Sequence, residues 1–177
     1  MKKTVLTVIA MLAIGVSSNN LFAQTTAATT ASAGSADLVA TLSANPDYDA
    51  SAIAIRAANL GTTLKGAGPY TILAPSNTAF SNLPSGKLDS LMADPAKLTA
   101  VLKGEVLTGK YDKAALIKLL GSGTPTVTTL DGKLLTLSVT DKHLTFTDSQ
   151  GNKAKVIAFD MLGTNGVAIG IDAVLTK

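Results

Sequence analysis

Three polar side chains, Ser76, Asn77 and Thr78, follow directly on Pro75 and the run Tyr70 to Ala74. A serine in such a turn could serve as a nucleophile, but that chemistry needs a base and a carboxylate to orient it. The chain has one histidine, His143, and one glutamate, Glu105, both far from this turn in sequence. It has no cysteine, hence no thiolate. His143 alternates with Leu144 and Phe146 beside a turn, so it reads as an exposed hairpin residue pointing off the apolar face. Two histidine- or glutamate-type ligands at distant positions make no metal cluster. Asp47 and Asp49 are the closest carboxylate pair, and they flank a helix start, where capping accounts for them. Asp94 to Glu105 has the length of a calcium loop, yet Ala96 and Leu98 stand where ligands are needed. Gly66-Ala67-Gly68-Pro69 precedes a strand and not a helix, unlike a phosphate loop. The residues read as a protein without catalytic residues, metal or cofactor.

The elements that would position these side chains follow from periodicity. Leu38 and Leu42 mark a helix that Asn45-Pro46 stops. Asp49 is expected to cap a second helix with Ile53, Ala57 and Leu60 on one stripe and Gly61 at its end. Tyr70 to Ala74 is a short strand ended by Pro75, which has no N–H for a ladder. Asp94-Pro95 starts a helix with the stripe Leu98, Val101, Leu102 and Val106. Asp112 caps another, carrying Leu116, Leu119 and Leu120 up to Gly121. After Thr124 the period becomes two. Leu135, Leu137 and Val139 share one strand face, and Leu144 and Phe146 share the next. Asp131-Gly132, Asp141-Lys142 and Asn165-Gly166 are turns. Val156–Phe159 and Val167–Ile171 are further strands. Helices precede strands, which predicts an α+β fold.

Lys2 and Lys3 ahead of the apolar run Val5 to Val16, with Leu21-Phe22-Ala23 behind it, describe a signal peptide over residues 1–23. Cleavage after Ala27 or Ala28 is the alternative. The apolar run is too short for a bilayer span, so no stable membrane insertion is expected after cleavage. Residues 24–35, "QTTAATTASAGS", read as a flexible linker, a glycosylated stalk being the alternative. One domain is expected over 36–177. Two of the fifteen basic residues fall in the leader, leaving 13 against 12 acidic in the mature chain. That near-neutral balance argues against a nucleic-acid partner. The chain is expected to be exported, to the periplasm or the extracellular space.

"TILAPSNTAF" (Thr71 to Phe80) and "TNGVAIGIDAVL" (Thr164 to Leu175) resemble the two motifs of the fasciclin domain family. Asn45 to Pro69 and Leu83 to Leu102 resemble the stretches around them, so the resemblance spans about Asp37 to Leu175. It implies a wedge: a β-sandwich of about seven strands with several helices at one side. It also implies a binding module, not a hydrolase, acting in adhesion or matrix association through a cell-surface or matrix protein. The motif positions carried over are Thr71, Ala74, Pro75, Ser76, Asn77 and Phe80, then Asn165, Gly166, Val167, Ile171 and Asp172. Asp160-Met161-Leu162 lies where animal relatives carry an Asp-Ile-Leu integrin-recognition sequence. A contact role for it stands beside the plainer reading of an acidic residue in a strand-ending turn. An alternative function is a periplasmic carrier of a small apolar ligand.

The chain departs from the family at the customary Tyr-His pair, where Gly104, Glu105 and Val106 stand, and at Ile169, which replaces a second histidine. Glu105 falls close to the apolar stripe of its helix. Either it makes a polar contact with the Ser76-Asn77-Thr78 turn, or Gly104 frays the helix and Glu105 faces water.

Overall fold

The computed structural model describes residues 36–65, 69–123 and 125–175. The leader and the linker expected over residues 1–35 lie outside the described residues. Seven helices and seven strands are described. The helices are α1 (Leu38–Ser43), α2 (Asp49–Ala57), α3 (Leu60–Leu64), α4 (Asn77–Ser81), α5 (Lys87–Ala93), α6 (Pro95–Lys103) and α7 (Lys113–Leu120). The strands are β1 (Tyr70–Pro75), β2 (Val106–Thr108), β3 (Thr126–Thr128), β4 (Leu134–Thr140), β5 (His143–Thr147), β6 (Lys153–Gly163) and β7 (Gly166–Ile171).

Local chemistry sets the starts and turns. Asp37, Ser76, Asp94 and Asp112 accept from backbone N–H groups of the first turns of α1, α4, α6 and α7. Asp141 and Lys142 both take positive φ, the geometry of a two-residue hairpin between β4 and β5.

The strands form one continuous ladder in the order β2-β1-β7-β6-β5-β4-β3. It folds over so that its two ends meet: Leu107 on β2 bridges Thr129 beyond β3, and the Leu130 N–H donates to the Val106 carbonyl. The sandwich is thus a single folded sheet. All its pairs are antiparallel except β1 with β7, which run parallel from Tyr70↔Gly166 to Pro75↔Ile171.

That parallel pair is buried on both faces. Ile72, Ala74 and Ala168 pack against helices with Leu38, Leu42, Ile55, Leu64, Phe80 and Leu102. Leu73, Val167, Ile169 and Ile171 face the sheet interior, with Leu107, Leu137, Phe146 and Val156. Leu116 of α7 is buried in this second core. Near-continuous apolar runs in both strands follow from having two cores to serve.

Strand β6 joins the two halves, pairing β5 through Lys153–Lys155 and β7 through Val156–Gly163. Its register slips around Asp160, which has φ 57°. Ala158 and Met161 therefore both pack on the helical core, while Phe159 and Leu162 pack on the sheet core. The extra residue of a bulge inverts the alternation locally.

Five expectations need correction. Val106, expected on the stripe of α6, opens β2, because α6 ends at Lys103. Ile53 is 52% exposed, and α2 instead buries Ser51, Ala52, Ala54 and Ile55. Asp49 lies inside α2, whose first turn is capped from a distance. Gly61 lies within α3, because Asn59, at φ 53°, breaks the helix earlier. Val139 shares its face with Leu137 but is 62% exposed, lying near the far end of β4 beyond the reach of the core.

Gly170 marks where strand and helices come nearest. A Cβ there would overlap the hydroxyl of Tyr48, a buried residue at the start of α2. Gly170→Ala is expected to cost about 1–3 kcal/mol by overpacking, with Tyr48→Phe recovering part of it. Urea denaturation of the single and double variants checks this.

Candidate functional site

Thr71 is buried, and its hydroxyl donates to the Gly109 carbonyl and accepts from the Tyr111 N–H, each at 2.8 Å. Ala74 fills the helical core, and the Pro75 carbonyl accepts from the buried Ser51 hydroxyl at 2.6 Å. Ser76 caps α4 through the Ala79 N–H at 3.2 Å, and Phe80 seals that helix onto the core. The Ser76 oxygen is occupied as a cap, next to no base, and is not placed as a nucleophile.

Asn77 carries the most tertiary contacts of this turn. Its carbonyl oxygen accepts from the Ala50 N–H at 3.1 Å, capping the first turn of α2. Its amide donates to the Pro46 carbonyl at 2.8 Å, and its backbone N–H donates to Asp47. Asn165, between β6 and β7, does the equivalent work at the other end of the helical layer. It accepts from the Leu38 N–H at the start of α1 and donates to the Leu64 carbonyl at the end of α3, both at 2.9 Å. Each motif asparagine thus satisfies helix-end groups that lack intrahelical partners. Gly166 follows because β7 crosses Tyr70 there too closely for a Cβ. Val167 and Ile171 fill the sheet core, and Asp172 accepts from the Lys155 N–H at 2.7 Å.

Glu105 meets neither of its two expectations. Gly104 does end α6, yet Glu105 is 1% exposed and not in water. Nor does it bond the Ser76-Asn77-Thr78 turn, where the Asn77 side chain accepts from Ala50 and donates to Pro46. Instead one carboxyl oxygen accepts from the Leu175 N–H at 3.0 Å, and the other, Oε2, has no partner. Val106, beside it, packs into the helical core. Glu105 borders an enclosed cavity with Ser51, Ile55, Leu73, Pro75 and Leu102, with ≈ 10 Å³ of room, about one water. Burial pushes its acid up to about 8, the Leu175 bond opposing only in part. No other carboxylate of the chain is a glutamate, so periodicity could flag Glu105 as odd. A partner 70 positions away on a backbone N–H left no signal in the sequence.

The third assembly surrounds Asp160. Its carboxylate accepts from the Lys113 N–H at 3.1 Å, adding a second cap to α7 from the bulge in β6. It sits within a long strand, not in a strand-ending turn. Met161 and Leu162 point to opposite cores, both half-buried. Lys110, Lys113, Ile117, Asp160 and Leu162 line an open groove of ≈ 490 Å³, with Ile117 59% exposed. The Lys113 ammonium lies 5.5 Å from the centre of the Phe159 ring, within cation–π range. Ile117, Lys113 and Phe159 were not singled out from sequence, because only the fold brings α7 onto β6.

The fasciclin domain model matches residues 46–177. The chain belongs to the fasciclin domain family. Among similar proteins, Protein sll1483 of Synechocystis sp. is 34% identical over 140 residues, 78% of this chain and 72% of that protein. Transforming growth factor-beta-induced protein ig-h3 of Sus scrofa is 34% identical over 122 residues, 69% of this chain but 16% of its own length. A solved FAS1 domain pair from the insect cell adhesion molecule fasciclin I superposes with a TM-score of 0.65 at 15% identity. The match covers 81% of this chain and 52% of that one. The fold of this fasciclin domain is therefore shared with that pair.

Two outcomes follow for the fasciclin domain. Asn77→Ala strips the cap of α2 and the tie to Pro46, and is expected to cost about 1–3 kcal/mol. Asn77→Asp, which keeps the acceptor, is expected to cost less, and equilibrium denaturation ranks the two. For Glu105 the folded acid lies above its unfolded value, so between pH 4.5 and about 8 the folded chain binds the extra proton. Stability then falls as pH rises through that window, by on the order of a few kcal/mol. Glu105→Gln removes this slope, read as the urea midpoint against pH.

Proposed function

We propose that this fasciclin domain is an exported binding module that mediates adhesion or surface and matrix association by docking a cell-surface or matrix protein. Family membership supports the class of function, and the shared fold with a cell adhesion molecule's domain pair is consistent with it. The observation that carries the reading is the groove between α7 and β6. An exposed Ile117 there stands among lysines and the Asp160 carboxylate, an apolar anchor point with a charged rim. Asp160 and Leu162 of the segment suggested by the family resemblance line it, while Met161 between them packs on the helical core. Asp160 contributes in two ways: Oδ1 fixes the first turn of α7, and the rest of the carboxylate faces the groove's rim. The motif residues Thr71, Ala74, Pro75, Ser76, Asn77, Phe80, Asn165, Gly166, Val167, Ile171 and Asp172 act here as the frame that positions the groove.

Export rests on the leader read from residues 1–23, and periplasm against extracellular space is a matter for fractionation. Among the described residues no helix is long and apolar enough to cross a membrane. A carrier of a small apolar ligand would need an apolar chamber. The enclosed cavity beside Glu105 holds about one water, and the groove at α7 is open to solvent.

Cells displaying the domain are expected to attach to native envelope or matrix fractions more than undisplayed controls. Ile117→Asp, on the exposed side of α7, is expected to reduce that attachment several-fold with the thermal midpoint unchanged. Equal attachment of displayed, undisplayed and variant cells would sink the proposal.

A further inference from the structure

The segment after β7, Asp172–Leu175, is tied down unevenly. Asp172 is held at both its N–H and its carboxylate by Lys155. Leu175 is buried in the sheet core, and the backbone bond recorded for it runs to Glu105. Leu175 and Gly104 line an outer groove of ≈ 250 Å³ with Lys133, Leu135 and Asp148, while Glu105 lines the inner cavity. The Glu105–Leu175 pair stands between the two. We propose that Glu105 and Leu175 form a proton-controlled latch, in which ionisation of Glu105 releases the 173–175 segment and joins the outer groove to the buried cavity.

The argument is one of solvation. A neutral carboxyl can stay buried with one accepted bond, because its remaining cost is that of a single unmatched polar group. A carboxylate in the same place requires several donors, and an enclosed space for about one water cannot supply them. Water must then reach Oε2 past whichever wall yields most easily. The cavity walls lie on α2, β1, α6 and Val106 of β2, each held by its own helical or ladder bonds and by the helical core. The carboxyl's remaining cover is the 173–175 segment, which reaches it through the Leu175 N–H and has no place in a helix or strand. The segment is the cover that moves.

Neighbouring charges do not supply an alternative switch. The cavity walls named on α2 and β1 present Ser51, Ile55, Leu73 and Pro75, none of them ionisable. Lys103 on α6 lies two residues before Glu105 and is no partner of it. In the β3–β4 loop, Lys133 pairs with Asp131 at 2.8 Å, which raises the lysine. Burial alone would raise Asp131 and Asp148, but bonds from Lys133 and Thr129 to one and from Asn152 to the other outweigh it. Both stay below the ordinary carboxylate range. Asp172 is engaged by Lys155. None of the shifted groups crosses the neutral-to-alkaline range in which Glu105 changes charge.

Because Glu105 is the only glutamate, the full chain labelled with ¹³C at glutamate Cδ gives one carboxyl signal. Methyl labelling of leucine and valine follows the segment in the same sample. From pH 6 to 9.5 the carboxyl is expected to titrate near 8, with the Leu175 and Val174 methyls moving to unstructured positions at the same midpoint. Leu137 and Val167 methyls are expected to hold their core positions throughout. In Glu105→Gln the Leu175 methyls are expected to stay docked over the whole range. Titration of Glu105 with Leu175 still docked would overturn the latch, as would release at the same midpoint in the glutamine variant. Joint movement of Leu137 and Leu175 would overturn it too, since that is global unfolding. The wild-type carboxyl and methyl curves decide the matter even if the variant does not fold.

Discussion

The parallel pairing of β1 with β7 is the constraint from which most of this structure follows. Six residue pairs in register bind two segments almost a hundred positions apart in the chain. Both strands then lie inside the ladder, second and third of its seven strands, with a core on each side. A strand in that position cannot spare a face for water, so both sequences become apolar with little alternation. It also cannot spare volume, which is why glycine stands at 166 and 170, where β1 and Tyr48 press closest. The polar residues of the two motifs lie just beyond this pair, Ser76 and Asn77 past the end of β1, Asn165 ahead of β7. There they reach out to helix ends, so that the ladder and the helical layer are fastened at two points by two amides.

The sequence carried the elements better than their joints. Caps at Asp94 and Asp112, the Asp141-Lys142 turn and the strand before Pro75 are local effects, decided within three or four residues, and could be read directly. The α2 stripe could not. Alanine-rich helices leave several stripes of similar hydropathy, and only the tertiary partner chooses between Ile53 and Ile55. The single folded sheet was hidden for a related reason: a bulge at a non-glycine residue, Asp160, changes the face of everything after it without a glycine to announce it. The motifs were legible as motifs, but the work of Asn77 and Asn165 was not, since their partners at Pro46, Ala50, Leu38 and Leu64 are backbone groups that any side chain would leave unchanged.

Asp160 shows how one residue can be both structural and available. The bulge gives it a positive φ, and its Oδ1 stabilises the start of α7 in the same manner as Asp112 does from the N-cap position. Two carboxylates therefore face the positive end of one helix, a favourable place for them. This fixes α7 against β6 and, with it, the position of Ile117 and Lys113 in the groove wall. The apolar anchor and its rim owe their geometry to the irregularity in β6, not to α7 alone.

Glu105 lies at the junction of these two themes. Its backbone carbonyl accepts from the Leu73 N–H of β1, so the main chain at this position extends the β1–β2 pairing whatever side chain is present. The side chain is thereby aimed inward between α2, α6 and β1, where a polar group needs a partner that the motif turn cannot supply. Asn77 has already used its oxygen and its amide on the α1–α2 connection. The donor available to the carboxyl is the Leu175 N–H, on a segment outside the ladder. A residue fixed in place by the ladder is thus bonded, in part, by a segment outside it. That mismatch leaves Oε2 unpaired, while burial pushes the acid up to about 8, and on these two features the latch proposed for the end of the described chain depends.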